Sequence, residues 1–257
     1  MHEISVAVLS SGSIGNSILV SGSGSNVLVD AGISCRDLER RLSSFGVQPT
    51  QIEAVVLTHE HTDHVRGARR FCTQYRVPVL GTRGTLALVT LNGLETRNIT
   101  PKEPFSVGRL GFTPFKVRHL AADPIALTVS SGTAKVGIAS DLGSVTPLVT
   151  KHMTDCGLML VEANYDDDML TAGNYPDFLK KAIRSDHGHL SNRDAAILSS
   201  KAADDRTKKV VLIHLSRENN TPEKARLVVE TSLEARGVKP SVEVSEHGCS
   251  SGPHRLS

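Results

Sequence analysis

The 257-residue chain has no tryptophan, three tyrosines and six phenylalanines. A core so short of aromatics must rest on Val, Ile, Leu and Ala. Its four cysteines, Cys35, Cys72, Cys156 and Cys249, stand far apart and form no Cys-x-x-Cys pair. That excludes a zinc ribbon and a disulfide framework, and it suits a reducing compartment. Cys72 and Cys156 read instead as small core hydrophobes. No stretch approaches ~18 consecutive apolar residues, the length a membrane-spanning helix needs. Residues 1–30 carry no basic segment followed by a long apolar run, so no secretory leader is expected. The chain reads as cytoplasmic, without a membrane partner. Charge of one sign is also lacking: 29 Lys and Arg face 27 Asp and Glu, a net +2. That is too small to imply nucleic-acid binding by itself.

Imidazoles are concentrated in one place. The run Thr58-His59-Glu60-His61-Thr62-Asp63-His64 holds three histidines and Asp63 within six residues. Residues two apart in an extended loop point the same way. His59 and His61 can therefore grip one ion, leaving Asp63 and His64 to reach a second beside it. This spacing proposes a two-metal hydrolytic site.

The rest of the chain reads as a mixture of strands and helices. Ile4 to Leu9 and Asn26 to Asp30 are short and apolar, separated by Ser/Gly clusters. Ser34 and Asp37 form a capping-box variant before Leu38, Leu42 and Phe45 at helical spacing. Ile52 to Leu57 is a buried strand, and the His cluster follows it at once. Val65 to Tyr75 and Thr82 to Leu91 read as helices. Between Phe105 and Ser140 strand follows strand, notably Leu110 to Arg118, Ile125 to Val129 and Lys135 to Ala139. Helices and strands then alternate: Val145 to Met153, Gly157 to Glu162, Pro176 to Arg184, Asn192 to Ala203, Lys209 to Ile213 and Pro222 to Ala235. Ser191 and Thr221 are N-cap residues, the latter followed by Pro222 at the first helical position. Strands leading into helices twice predict an α/β fold, two mixed sheets face to face with helices outside. This four-layer α/β/β/α sandwich is expected to occupy residues 1–247 as a single domain, with a polar, disordered tail over 248–257.

Three later residues qualify as further ligands. His119, Asp141 and His214 each follow a strand, as the first cluster does. That shared placement gathers them on one edge of the sandwich.

The His-x-His-x-Asp-His pattern, with a later His, a later Asp and a final His, resembles the metallo-β-lactamase superfamily over nearly the whole chain. Val29-Asp30-Ala31-Gly32 is similar to that superfamily's first motif, whose Asp braces the metal loop from behind. The resemblance implies His59, His61 and His119 on one ion, Asp63, His64 and His214 on the other, and Asp141 between them. Three further stretches resemble the WalJ-like (YycJ-like) group of small bacterial hydrolases: Leu9 to Ser17, Gly188 to Asn192 and His214 to Asn220. That group implies a 5′→3′ exonuclease acting on DNA. Where the group usually has Asn-His-Asp, this chain has Asn164-Tyr165-Asp166, which puts Tyr165 at a position implied to face substrate.

Two divalent ions ~3.5–4 Å apart can share a hydroxide and clamp the oxygens of a phosphoryl transition state. Asp141 is a hard oxygen donor that suits Zn²⁺, Mn²⁺ or Fe²⁺, and no cysteine is placed to tie the site to zinc. Asp63 and His189 are the catalytic candidates. His189 resembles the extra catalytic His of tRNA 3′-processing members and would protonate a leaving alkoxide. Ser13, Gly15 and Asn16 lie on a Gly/Ser loop able to offer backbone N–H groups to a phosphate. The leading expectation is a phosphodiesterase with nucleic acid as partner, DNA favoured. A small-molecule hydrolase of cyclic phosphodiesters, thioesters or lactones is the alternative, and a non-catalytic metal-binding regulator the third. Plainer readings stand beside these. His189 can simply hold a helix start, and the Gly/Ser loop can be a tight turn. Arg66, Arg69 and Arg70, on one helix face, suit a polyanion or plain solvent. His152, His247 and His254 read as solvated.

Overall fold

A computed structural model describes residues 4–256. Its first half contains β1 (Ile4–Ser10), β2 (Ser17–Gly22), β3 (Ser25–Val29), α1 (Cys35–Ser44), β4 (Ala54–Val56), α2 (Thr62–Val65), α3 (Ala68–Tyr75), β5 (Val79–Gly81), α4 (Arg83–Leu88) and β6 (Thr96–Asn98). The second half begins with β7 (Phe105–Val107), β8 (Leu110–Lys116), β9 (Ile125–Ser131), β10 (Ala134–Ala139), α5 (Pro147–Met153), β11 (Leu158–Glu162) and α6 (Asp167–Ala172). It continues with α7 (Asp177–Arg184), α8 (Asn192–Ala202), β12 (Lys209–Ile213), α9 (Pro222–Ala235), β13 (Ser241–Val244) and β14 (Ser251–Leu256).

The strands form two sheets, β14-β1-β2-β3-β4-β5-β6 and β13-β12-β11-β10-β9-β8-β7. Side chains on a strand alternate between faces, and here both faces of each sheet are buried. Val6 and Val8 of β1, Leu158 and Leu160 of β11, and Val211 and Ile213 of β12 point into the core between the sheets. Ala7 and Leu9 turn outward onto Leu38 and Leu42 of α1 and Phe71 of α3. Met159, Val161 and Leu212 turn outward onto Leu198 of α8 and Val229 and Leu233 of α9. The result is the expected α/β/β/α sandwich. Its largest fully buried side chains are three phenylalanines and nine Leu or Ile residues, as the aromatic-poor composition requires. Cys35, Cys72 and Cys156 are buried thiols, and burial pushes Cys72 and Cys156 up to about 12. No helix among the described residues is long and apolar enough to cross a membrane.

Several local readings hold: Ser34, Ser191 and Thr221 cap α1, α8 and α9 through their hydroxyls. Others do not. The helix expected over Val65 to Tyr75 is broken at Gly67. A Cβ on Gly67 would come within 2.0 Å of the Ile33 carbonyl oxygen, and its N–H is spent on Ala31. β2, lying in the Ser/Gly-rich stretch, and the short helix α6 were not expected.

The tail is the main correction. In place of disorder from Gly248, Ser251–Leu256 pairs antiparallel with β1, with Ile4 opposite Leu256. Polar composition misled because the ladder is a backbone property, and only alternate residues, His254 and Leu256, are buried. His254 is therefore not solvated, and His152 stacks on Phe115 with ring centroids 4.5 Å apart. Truncating residues 251–257 removes Leu256 from the inter-sheet core and unpairs β1. The expected loss is about 2 kcal/mol or more from the buried leucine alone, read as a lower urea midpoint. An unchanged midpoint would mean the strand contributes nothing.

Candidate metal centre

β3, β4, β5 and β6 run parallel in one sheet, and β10, β11, β12 and β13 in the other. Their C-terminal ends meet at one edge, where loops can leave without breaking a ladder. Asp30 follows β3, the His59–His64 loop follows β4, and His119 follows β8. Asp141 follows β10, Glu162 ends β11 and His214 follows β12. Asp30, Asp141 and His214 take φ of +61°, +56° and +58°, a left-handed conformation unusual for residues with a Cβ. Strain of that kind persists only where neighbours enforce it.

The donor atoms fall into overlapping sets. Within each set they lie within 4.8 Å of one another: His59, His61 and His119; Asp63, His64 and His214; His59, His64 and Asp141; and Asp141, Glu162, His189 and His214. Every sequence-expected ligand is thus brought to one place, with Asp141 sharing a set with His59 and His64.

Each imidazole has one nitrogen engaged by the protein. His64 Nδ1 lies 2.8 Å from Asp30 Oδ2, His119 Nδ1 3.0 Å from the Gly188 carbonyl and His61 Nε2 2.9 Å from the Leu120 carbonyl. His214 Nδ1 lies 3.0 Å from Glu162 Oε1. Thr58 Oγ1 donates to Asp30, so it accepts from His59 Nδ1 at 3.0 Å. The second nitrogens of His59, His61 and His119 are left to face inward as lone-pair donors, while that of His64 lies 3.0 Å from Asn16 Nδ2 and 3.2 Å from Asp141 Oδ2 and that of His214 3.7 Å from Asp63 Oδ2. His59 Nε2 is buried with no partner, and His61 Nδ1 faces His119 Nε2 at 3.2 Å. Unpartnered lone pairs pointing at one another fit a divalent cation and little else.

Electrostatics divide the site. Burial dominates at His59 and His119 and holds both below the usual histidine range. Burial also opposes charge on His64 and His214, but nearby carboxylates outweigh it. Asp141 and Asp30 raise His64, while Asp141, Asp63 and Glu162 take His214 up to about 10. Burial would raise Asp141, but His214 and His64 hold it well below the carboxylate range.

Glu162 was read only as the end of a strand. Its side chain is fully buried, takes Leu142 N–H at 2.6 Å and lies 2.7 Å from His189 Nδ1. A carboxylate ending an otherwise apolar strand, Leu158 to Val161, was the available signal. His189 thus joins the centre rather than merely holding a helix start; Ser191 caps that helix.

The Gly/Ser loop is used differently from expectation. Gly15 N–H bonds to Gly12 O at 2.9 Å, and Asn16 N–H to Asp63 O at 2.7 Å. Neither amide is free for a phosphate. Asn16 instead braces the cluster, its Nδ2 3.0 Å from Asp63 Oδ2. Only Ser13 of the three lines the cleft. Tyr165 also departs from expectation. It is 4% exposed, burial pushes its hydroxyl up to about 12, and Asn164 and Tyr175 line the cleft instead. Arg66, Arg69 and Arg70 are exposed, with Arg66 tied to the Gly32 and Ile14 carbonyls. The cleft, about 410 Å³, has His61, Asp63, His119, Asp141, His189 and His214 in its lining.

The beta-lactamase superfamily domain matches residues 25–215. The chain belongs to the metallo-β-lactamase superfamily. Exodeoxyribonuclease YycJ of Bacillus anthracis is 32% identical over 240 residues, covering 90% of this chain and 89% of that protein. Exodeoxyribonuclease WalJ of Streptococcus pneumoniae serotype 2 is 31% identical over 234 residues, covering 88% and 87%. Among solved structures, the metallo-beta-lactamase fold protein YhfI from Bacillus subtilis aligns with a TM-score of 0.76 at 18% identity, covering 97% of this chain and 99% of that one. That is a likeness of fold. Superfamily membership and the His/Asp sets agree on a centre for divalent metal.

Metal uptake is expected to release protons, because His64 and His214 must lose theirs to become ligands. Apparent affinity should therefore rise with pH until His214 is neutral, at about pH 10. Calorimetry in buffers of different ionisation enthalpy measures the protons released; none released would contradict the charge assignment.

Proposed function

We propose that this protein is a metal-dependent phosphodiesterase acting on nucleic acid, with DNA favoured and 5′→3′ exonuclease action. The observation that carries it is His189. It sits at the rim of the metal sets, 3.8 Å from Asp141 Oδ1, with its Nδ1 held by a buried carboxylate and its other nitrogen left for substrate. The two curated relatives, matched over nearly their whole length, bear the name exodeoxyribonuclease.

His59, His61 and His119 would hold one divalent ion and Asp63, His64 and His214 a second, with Asp141 between them. Zn²⁺, Mn²⁺ and Fe²⁺ all suit this donor set. Ions bound there would supply Lewis acidity toward phosphoryl oxygens and lower the pKa of water. The chain supplies the rest. Asn16 and the Asp30 carboxylate keep Asp63 and His64 in register. Burial works against a charged His189, but Glu162 outweighs it and raises the imidazole above its usual range. A protonated His189 can then donate to the departing alkoxide oxygen, the step an alkoxide leaving group needs. Glu162 acts by positioning and charging that ring.

Purified protein with Mn²⁺ is expected to shorten a 5′-phosphorylated DNA strand, and Asp141→Ala to abolish this. No cleavage of DNA or RNA with any divalent metal would reject the reading. His189→Ala should reduce strand cleavage by about 10²–10⁴-fold, the scale of lost acid catalysis. It should slow bis-p-nitrophenyl phosphate much less, because p-nitrophenolate leaves without a proton. Equal loss on both substrates would remove His189 from the acid role.

A further inference from the structure

We propose that Tyr175, Leu179 and Ile183 form a nucleobase subsite beside the phosphate-handling cluster. The assignment rests on the nuclease reading and adds which residues hold the base.

Tyr175, Leu179, Ala182 and Ile183 line the cleft whose lining also carries the histidines and Asp141. Helix α7 has apolar residues at Phe178, Leu179, Ala182 and Ile183, yet none of its residues is buried and none joins the three packed cores. Phe178 is 74% exposed. An amphipathic helix normally covers a core with its apolar stripe; here Leu179, Ala182 and Ile183 line the cleft instead.

Its polar side is already committed. Arg184 Nη2 donates to the Asp167 carbonyl at 3.0 Å, and Lys180 Nζ to the Thr171 carbonyl at 2.8 Å, tying α7 to α6. Its C-terminal end is fastened to the segment that carries His189, since His189 N–H bonds to the Ile183 carbonyl at 2.9 Å. A Cβ on Gly188 would come within 2.1 Å of that same oxygen. The apolar wall and His189 therefore keep a set spacing.

The wall brings no charged side chain to the cleft, so a phosphate backbone would find no counter-charge on it. It offers flat and aliphatic surface instead. Among the described residues Tyr175 has no hydrogen-bond partner for its hydroxyl and no aromatic neighbour for its ring. A base stacked on an aromatic ring gains affinity regardless of sequence, because every base has a π face. A phosphodiester lying against His61, Asp63 and His189 carries its adjoining base toward this wall.

The test uses the full chain with Mn²⁺ and two 5′-phosphorylated strands. One is normal, and in the other the first two nucleotides are abasic tetrahydrofuran residues. Wild-type protein is expected to prefer the normal strand by about tenfold, the scale of one base–aromatic stack. Tyr175→Ala should raise KM on the normal strand by about as much, leave kcat nearly unchanged and leave the abasic strand unaffected. Tyr175→Phe should retain the preference. Leu179→Ala, at a cleft-lining position that is not buried, provides a second variant that should fold normally and weaken the preference. Equal effects of Tyr175→Ala on both strands, or none on either, would overturn the subsite while leaving the nuclease reading intact. Wild-type hydrolysis of a thioester or lactone with neither strand cleaved would overturn both.

Discussion

A single buried carboxylate, Asp30, ties the ligand loop to its neighbouring strand. Its Oδ1 accepts the Thr58 N–H, and its Oδ2 lies 2.8 Å from both Thr58 Oγ1 and His64 Nδ1. Through Thr58 it also sets His59, whose Nδ1 can only donate there. Asp30 is held in place by backbone: Ala31 N–H bonds to the His64 carbonyl and Gly32 N–H to that of Asn16. The approach is so close that a Cβ on Gly32 would sit 1.6 Å from the Asp63 carbonyl oxygen.

Glu162 plays the matching part in the second sheet. One oxygen takes the Leu142 amide, and the other serves both His189 and His214. A potential metal ligand and a potential proton donor thus share one buried negative charge. Removing such a partner leaves buried imidazoles uncompensated, which costs far more than an exposed ion pair. Each carboxylate serves its own sheet, and the two meet where His64 Nε2 lies 3.2 Å from Asp141 Oδ2 and the His214 N–H bonds to Ser11 Oγ at 2.6 Å.

Much of this was legible in the chain. His59, His61, Asp63, His64, His119, Asp141 and His214 all follow strands, and parallel strands deliver their C-terminal ends to one edge. The layer order followed from strand and helix periodicity, and the caps at Ser34, Ser191 and Thr221 from local chemistry. Failures came where a residue's role depends on a distant neighbour. Asn16 resembles a phosphate-loop residue until Asp63 is seen to occupy it. Tyr165 reads as a substrate contact until the Ser191 bridge draws its backbone inward. Glu162 reads as the end of an apolar strand until His189 and His214 arrive from sequence positions 27 and 52 residues away. The polar segment after Gly248 lacks any local strand signal, because an edge strand draws its order from β1.

The sequence by itself determined which donors exist and at which strand ends they sit, since spacing and periodicity are local properties of a chain. Only the tertiary structure decided which nitrogen of each imidazole faces inward, which carboxylates set the charges, and that Leu179, Ala182 and Ile183 of α7 line the cleft. Those choices depend on hydrogen bonds and burial between segments far apart in the chain, where no local pattern records the partner.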